Sequence, residues 1–502
     1  MARLGARWRI ARASRLIPKQ ELMALAAELQ LQAHIVEKDY ALGWFLAGIA
    51  AHPEIGPSWV FKGGTCLKKC YFETYRFSED LDFTLKDAEH LDEAFLVGVF
   101  EEIADWVYDA SGLQLPPEAR KFEVFTNPRG SQSAQGRVGY RGPLGRAGDP
   151  PRIKLDLASD EVLVLGPVPR PVHHPYTDVP DGGIRVLCYP FEEVFAEKMR
   201  ALAERQRPRD LYDVVHLYRR QDLQPDRAVV RSTLARKCEF KGIPVPTFAA
   251  LSDRPERVAI EVEWEQMLAH QLPVCPPFDE FWQELPAVFE WLNTDVVLPT
   301  LPAIQFGREV LDTTWRLPPM VTAWGVGASS LESIRFAAAN RLCIQLDYTK
   351  EGGERSSPTI EPYSVRRTRA GDLLLFGVKA DTGESRSYRV DRIRMASVTQ
   401  QAFRPRFVIE LTASGPLDAP AVVQARSTGP SFGATRSLNV PAPSRTLNPR
   451  LHRHPGMSYT FTCSVCGKGF KRTSYDANLN PHRDKQGRPC PGRVGILGAT
   501  SN

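Results

Sequence analysis

The chain has 502 residues, 43% of them hydrophobic, and a formal net charge of +5; that length exceeds what one hydrophobic core serves, so two to four domains are expected. No run approaches the roughly 18 apolar residues of a membrane span, which argues against a helical membrane protein. The start MARLGARWRIARASRL lacks the apolar stretch of a secretion signal and, although its arginine-rich, acid-poor text is shared with organellar presequences, a basic terminal helix in a cytoplasmic protein is the expectation.

Composition divides the chain into residues 1–295, an α/β unit with a helical half; 296–329, a connecting segment; 330–413, a small β-rich module; 414–455, a linker rich in Pro, Ser, Gly and Ala; and 456–502, a compact cysteine-bearing end. Six of the nine cysteines (Cys66, Cys70, Cys188, Cys238, Cys275 and Cys343) are scattered without framework spacing, as reduced thiols are.

The first chemical signal is FKGGTCLKKCYF. Gly63 and Gly64 give a backbone that an anion can approach, free N–H groups at a helix start can bind phosphate oxygens, and Thr65 is placed to cap that helix. Next, RFSEDLDFTL predicts a strand with Leu81, Phe83 and Leu85 on one face and Asp80, Asp82 and Thr84 on the other. A pair of adjacent carboxylates suits Mg2+, which keeps substrate phosphates among its ligands. Either stretch alone is ordinary, a turn or an edge strand with solvated acids; their order is the rarer observation.

In PRIKLDLASD the same alternation puts Lys154 and Asp156 on one strand face, so Asp156 becomes a third carboxylate if the strands are neighbours. Three acids around two metal ions activate a hydroxyl and stabilise a leaving pyrophosphate. The following helix carries the apolar stripe Phe191, Val194, Phe195, Met199 and Leu202, and Lys198 falls inside it. A lysine there snorkels outward or meets a phosphate or carboxylate. Pro208 restarts the helix at RDLYD, where Asp210 sits at the start and Asp213 one turn in, facing Lys198 or an attacking group.

The series KGGT, YRFSEDLDF, IKLDL and EEVFAEKMRALAERQRPRDLYDVVHL, preceded by IVEKDYALGWFL, resembles the AbiEii/AbiGii-type toxin nucleotidyltransferases of the polymerase-β-like superfamily over roughly residues 20–290. The resemblance implies a nucleotidyltransferase core in which Gly64, Thr65, Asp80 and Asp82 form the first motif, Lys154 and Asp156 the second, Lys198 the third and RDLYD the fourth, with Asp213 rather than Asp210 the essential acid. It further implies Mg2+ on Asp80, Asp82 and Asp156, an NTP held by Gly63, Gly64, Thr65, Lys154 and Lys198, and transfer of a nucleoside monophosphate to an acceptor such as a tRNA 3′ end or another nucleic acid. A cognate antitoxin is the implied protein partner, and no membrane is involved. A protein acceptor, or a nucleic-acid-sensing regulator on a disused transferase scaffold, are the alternatives.

The strand-rich text from NRLCIQLDY to FRPRFVIEL resembles a WYL domain, a small Sm-like β-barrel, with Leu374, Leu375 and Phe376 where the naming tripeptide would stand. Arg386, Arg389 and Arg392, with Tyr363 and Tyr388, are candidates for binding phosphates and stacking a base. The tail is the basic part of the chain: residues 421–502 hold 12 Lys and Arg against Asp476 and Asp484. Its Cys463, Cys466, His482 and Cys490 have the ligand types of a structural, tetrahedral Zn2+ site, and Lys468, Lys471, Arg472, Arg483, Lys485 and Arg488 around it favour nucleic acid.

Overall fold

A computed structural model describes residues 16–28, 31–72, 76–126, 130–220, 223, 225–253, 256–294, 301–304, 310–312, 328–412, 415–417, 458–463, 466, 468–472, 482–484, 486–490 and 495–501. The expected basic terminal helix, Lys485, and most of the connecting segment and linker lie outside these residues. The chain forms two compact units, Met1–Gln424 and Ala425–Asn502.

The first unit opens with α1 (Lys19–Glu28) and α2 (Ala33–Ala51). The second of these is apolar on nearly every face and is accordingly buried along most of its length. Then come β1 (Trp59–Lys62), α3 (Gly63–Cys66), β2 (Asp80–Leu85), α4 (Glu93–Ser111), β3 (Arg120–Thr126), β4 (Gln132–Gly139), β5 (Arg152–Ala158), β6 (Val168–Val172) and β7 (Ile184–Cys188). The Asp92 carboxylate caps α4 by accepting from the Phe95 amide.

The seven strands form one sheet in the order β3-β4-β5-β2-β1-β7-β6. The period-two pattern holds: Ile153, Leu155 and Leu157 of β5 are buried while Lys154 and Asp156 are half-buried on the other face. Strand β5 runs parallel to β2, which needs a long crossover, and the α4-β3-β4 segment supplies it.

The helical half is α5 (Phe191–Arg205), α6 (Pro208–Arg219), α7 (Arg227–Lys241), α8 (Phe248–Ser252), α9 (Glu256–Leu268), α10 (Phe278–Trp282) and α11 (Leu285–Asn293). It is followed by α12 (Ala328–Ala339) and by β8 (Leu342–Thr349), β9 (Arg355–Ser356), β10 (Thr359–Arg367), β11 (Leu373–Lys379), β12 (Ser385–Arg389), β13 (Ile393–Ala402), β14 (Ile409–Thr412) and β15 (Gly415–Leu417), which make a curled, largely antiparallel sheet. The apolar core is continuous from Ile17 to Leu411. Polar contacts cross it too: the Asn340 side-chain oxygen accepts from Tyr212 (2.9 Å) and lies 3.1 Å from His216 Nε2, and Glu284 sits between Arg219 (2.7 Å) and Arg341 (2.8 Å).

The second unit holds a three-stranded sheet of β16 (Ser458–Cys463), β17 (Gly469–Arg472) and β20 (Gly495–Ser501), and a pair of two-residue strands, β18 (His482–Arg483) and β19 (Pro489–Cys490). Among the described residues no helix is long and apolar enough to cross a membrane.

Candidate active site

The site is built on the line where β1 hands over to α3. Gly63 has φ +80°, a conformation that glycine adopts without strain. A Cβ there would stand 2.1 Å from Asp82 Oδ2, so the missing side chain is also what lets the Asp82 carboxylate lie against this turn. At Gly64 a Cβ would meet the Arg76 guanidinium at 2.5 Å. Helix α3 continues as a wider π-helical turn, Leu67–Tyr71, held down by the buried pair of Lys69 with Asp39 of α2 at 2.7 Å.

Thr65 does not cap this helix. Because α3 starts at Gly63, Thr65 lies inside it, and its buried hydroxyl donates to the Asp80 carbonyl, tying the glycine turn to β2. Beneath the turn, thiols far apart in sequence meet: Cys66, Cys70 and Cys188 bring their sulfurs within 4.8 Å of one another.

Register does the rest. In the parallel ladder of β2 and β5, Asp82 pairs with Asp156 and Asp80 with Lys154. Lys154 Nζ is 2.6 Å from Asp156 Oδ2. Burial pushes the Asp82 carboxyl up to about 6, with the charges of Asp156 and Asp80 adding to the rise and Lys62 and Lys198 opposing it. Asp80 is also raised, by burial first.

A cavity of about 410 Å³ opens beside this row, lined by Gly63, Asp82 and Asp156 from the sheet and by Glu197, Lys198 and Arg205 from α5, among others. The structure thus brings Gly63, Asp82, Asp156 and Lys198 to one cavity, while Gly64, Thr65, Asp80 and Lys154 are absent from its lining. Sequence reasoning missed Lys62, Glu161, Tyr189, Glu197, Arg200, Glu204 and Arg205. Lys62 is the one with a readable signal, as the residue directly before the glycines. Glu161 pairs with it and also lies 3.3 Å from Tyr189 Oη, two contacts that only the fold creates.

Lys198 Nζ is 2.7 Å from Asp213 and 3.6 Å from Asp210. Arg76 grips the other side of Asp213 through two bonds, 2.8 and 2.9 Å, and Arg205 grips Asp210 at 2.7 and 2.9 Å. Burial favours the neutral acid at Asp213, but Arg76 and Lys198 overcome it and hold the carboxyl well below the usual range. The Asp213 side chain has 0% exposure, and its two oxygens are engaged by Arg76 and by Lys198, the first of the two encounters expected for it.

Residues 44–284 match the family model described as the nucleotidyl transferase AbiEii toxin of type IV toxin–antitoxin systems, and residues 329–398 match that of the WYL domain. The chain carries an AbiEii nucleotidyltransferase domain and a WYL domain. It is similar to the nucleotidyltransferase toxin MenT4 of Mycobacterium tuberculosis at 21% identity, over 56% of this chain and 91% of that one, with a TM-score of 0.37. It is also similar to the proteasome accessory factor B/C of Arthrobacter aurescens at 14% identity, over 61% and 41% of the two chains, with a TM-score of 0.15. No curated protein matches the chain.

In the WYL domain the candidate ligand residues do not converge. Tyr363 is fully buried, donates to Glu361 (2.8 Å) and accepts from the Arg406 amide (3.2 Å), as a core aromatic does. Tyr388 is buried as well. Arg386 pairs with Glu384 (3.0 Å), Arg389 with Asp372 and Asp391 (2.8 and 2.9 Å), and Arg392 lies 3.8 Å from Glu351. A spacing of three on a strand turns Arg386 and Arg389 to opposite faces, and Arg392 falls on the turn after it.

In the second unit the tail residues do meet. Cys463, Cys466, His482 and Cys490 place one ligand atom each within 4.8 Å of the others; Cys463 and Cys490 sulfurs are 3.8 Å apart, and Cys466 Sγ is 3.3 Å from His482 Nε2.

Proposed function

We propose that the AbiEii domain transfers a nucleoside monophosphate from an NTP to a hydroxyl of RNA, with a tRNA 3′ end as the specific acceptor and Mg2+ as cofactor. The observation that carries this reading is the pairing of Asp82 with Asp156 across β2 and β5, both lining a cavity shared with Gly63 and Lys198. That cavity is lined by four Lys or Arg and five Asp or Glu side chains, so it cannot attract a triphosphate by its own charge. Divalent cations on Asp80, Asp82 and Asp156 would reverse that balance and, when bound, supply Lewis-acid stabilisation of the pyrophosphate that leaves.

The protein's own groups do the remainder. Gly63 brings bare backbone to the cavity that would hold the phosphates, and Lys198, aimed by Asp213, neutralises charge on them. As the acceptor oxygen bonds to the α-phosphorus and the bond to the leaving pyrophosphate breaks, the acceptor proton passes to Asp80, whose carboxyl burial raises above its ordinary value and so makes a better proton acceptor. Incubation with each α-labelled NTP, Mg2+ and total RNA or protein is expected to place label on RNA with one pyrophosphate released per nucleotide. Label on protein alone would replace the acceptor, and absence of transfer would remove the reading.

The tail fits Zn2+. Bonds of about 2.3 Å in a tetrahedron put two sulfurs about 3.8 Å apart, the distance seen between Cys463 and Cys490. We read the site as structural, since all four positions are protein ligands, and the curled WYL sheet as an Sm-like barrel. Metal analysis of the full chain is expected to find about one zinc per protein, lost in Cys466→Ser with proteolysis confined to the tail; a chain that retains a protease-resistant tail without metal would contradict this. An antitoxin partner and a cytoplasmic location complete the proposal.

A further inference from the structure

Resting on the transferase reading above, we infer that a second, smaller cavity at the other end of the carboxylate row is the binding site for the acceptor's terminal sugar and phosphates, and that the acceptor is a polyanion. The exposed face of β5 runs Arg152, Lys154, Asp156. Asp156 lines the large cavity, Lys154 stands opposite Asp80, and Arg152 lines a separate cavity of about 190 Å³. On β2 the order repeats: Asp82 lines the first cavity, Asp80 lines neither, and Ser78 and Glu79, just before the strand, line the second. One row of residues therefore joins two concavities with Asp80 between them, the layout a two-substrate transfer at Asp80 requires.

The two ends differ in charge. Around the second cavity the charged groups are Lys38, Glu79, Arg146 and Arg152, with His34 beside them. Lys38 and Glu79 neutralise each other at 2.8 Å. That leaves the two arginines, both exposed and neither in an ion pair among the described residues, with Arg146 also within electrostatic reach of the buried Glu37 behind the wall. Arg209 adds to this field: its charge reaches both Asp80 and Glu79, and its buried Nε has no hydrogen-bond partner among the described residues. Tyr140 forms part of the wall. An excess of arginine without carboxylate partners selects phosphates over acidic or neutral protein side chains, because planar guanidinium groups match phosphate oxygens bidentately and release counterions from a nucleic acid.

The test uses the full chain and the charge reversals Arg146→Glu and Arg152→Glu, singly and together. Arg152→Glu should leave the melting temperature in place, whereas Arg146→Glu, which sets a like charge within reach of the buried Glu37, is expected to lower it slightly. The double variant is expected to raise the KM for RNA by at least about tenfold and to lower the salt dependence of kcat/KM for RNA by about two phosphate contacts. Binding of a fluorescent NTP analogue with Mg2+ should stay unchanged. An unaltered KM for RNA, an equal loss of NTP binding, or label that goes to protein and ignores these changes would overturn the assignment while leaving the transferase reading in place. A wild-type protein that transfers nothing would instead overturn the transferase reading, and this inference with it.

Discussion

Asp82→Asn is expected to abolish nucleotide transfer, by at least about 10³-fold, in a protein that is as stable as the parent or more so. Removing one carboxylate from the row takes away a ligand for the cations that the net-negative cavity needs before a triphosphate can enter. Stability moves the other way for a linked reason. The folded-state pKa of about 6 lies above the unfolded value of about 4, so between these values the folded protein binds the extra proton and loses stability as pH rises. Above pH 6 the whole penalty is present, and asparagine removes it. In metal-free buffer the variant should therefore gain on the order of 1–2 kcal/mol over wild type at pH 8, after allowance for solvent screening, and less at pH 5. Thermal denaturation at the two pH values checks this, and retained label transfer, or a variant that fails to fold, would refute it. In wild type, the same pKa predicts that Mg2+-dependent activity falls as pH drops below about 6, because protons then compete for the ligand.

Asp213→Ala should do the reverse, costing activity through stability and position together. It leaves Arg76 and Lys198 buried without their shared carboxylate, a loss of about 3–5 kcal/mol for a broken buried pair. Its depressed pKa means that this contribution is fully present above the ordinary carboxylate value of about 4 and disappears as pH falls below it. Lys198→Met separates the two roles. With Asp213 still gripped twice by Arg76, the methionine variant should melt within a few degrees of wild type. Its KM for NTP should nevertheless rise about 10–100-fold, as the loss of one phosphate-binding charge predicts. A methionine variant with normal KM would show that the lysine only neutralises Asp213.

Much of the catalytic half was legible because strand alternation is local. The faces of β2 and β5, and the inward Lys198, follow from spacing alone. What joins them is not local: the parallel register of β2 and β5 spans more than seventy residues, and no periodicity encodes it. Thr65 was misplaced because a helix start shifts by one or two residues without a strong sequence mark, and here Lys62, not Thr65, precedes the first helical residue. Asp213 was legible as a partner for Lys198 because both lie on neighbouring helical text; Arg76, 137 residues away in sequence, was not. In the WYL domain the partners of the candidate arginines were not legible, since Asp372, Glu384 and Glu351 are brought to them by turns and strand pairing rather than by any local period. The meeting of Cys463, Cys466, His482 and Cys490 was legible because a set of three thiols and an imidazole marks itself by residue type, whatever fold surrounds it.

Helix α6 turns Asp210 and Asp213 toward Lys198 and, with Tyr212, His216 and Arg219, meets Asn340, Glu284 and the end of α12. Side-chain contacts thus run without a break from Lys198 of the transferase domain to the residues that open the WYL sheet.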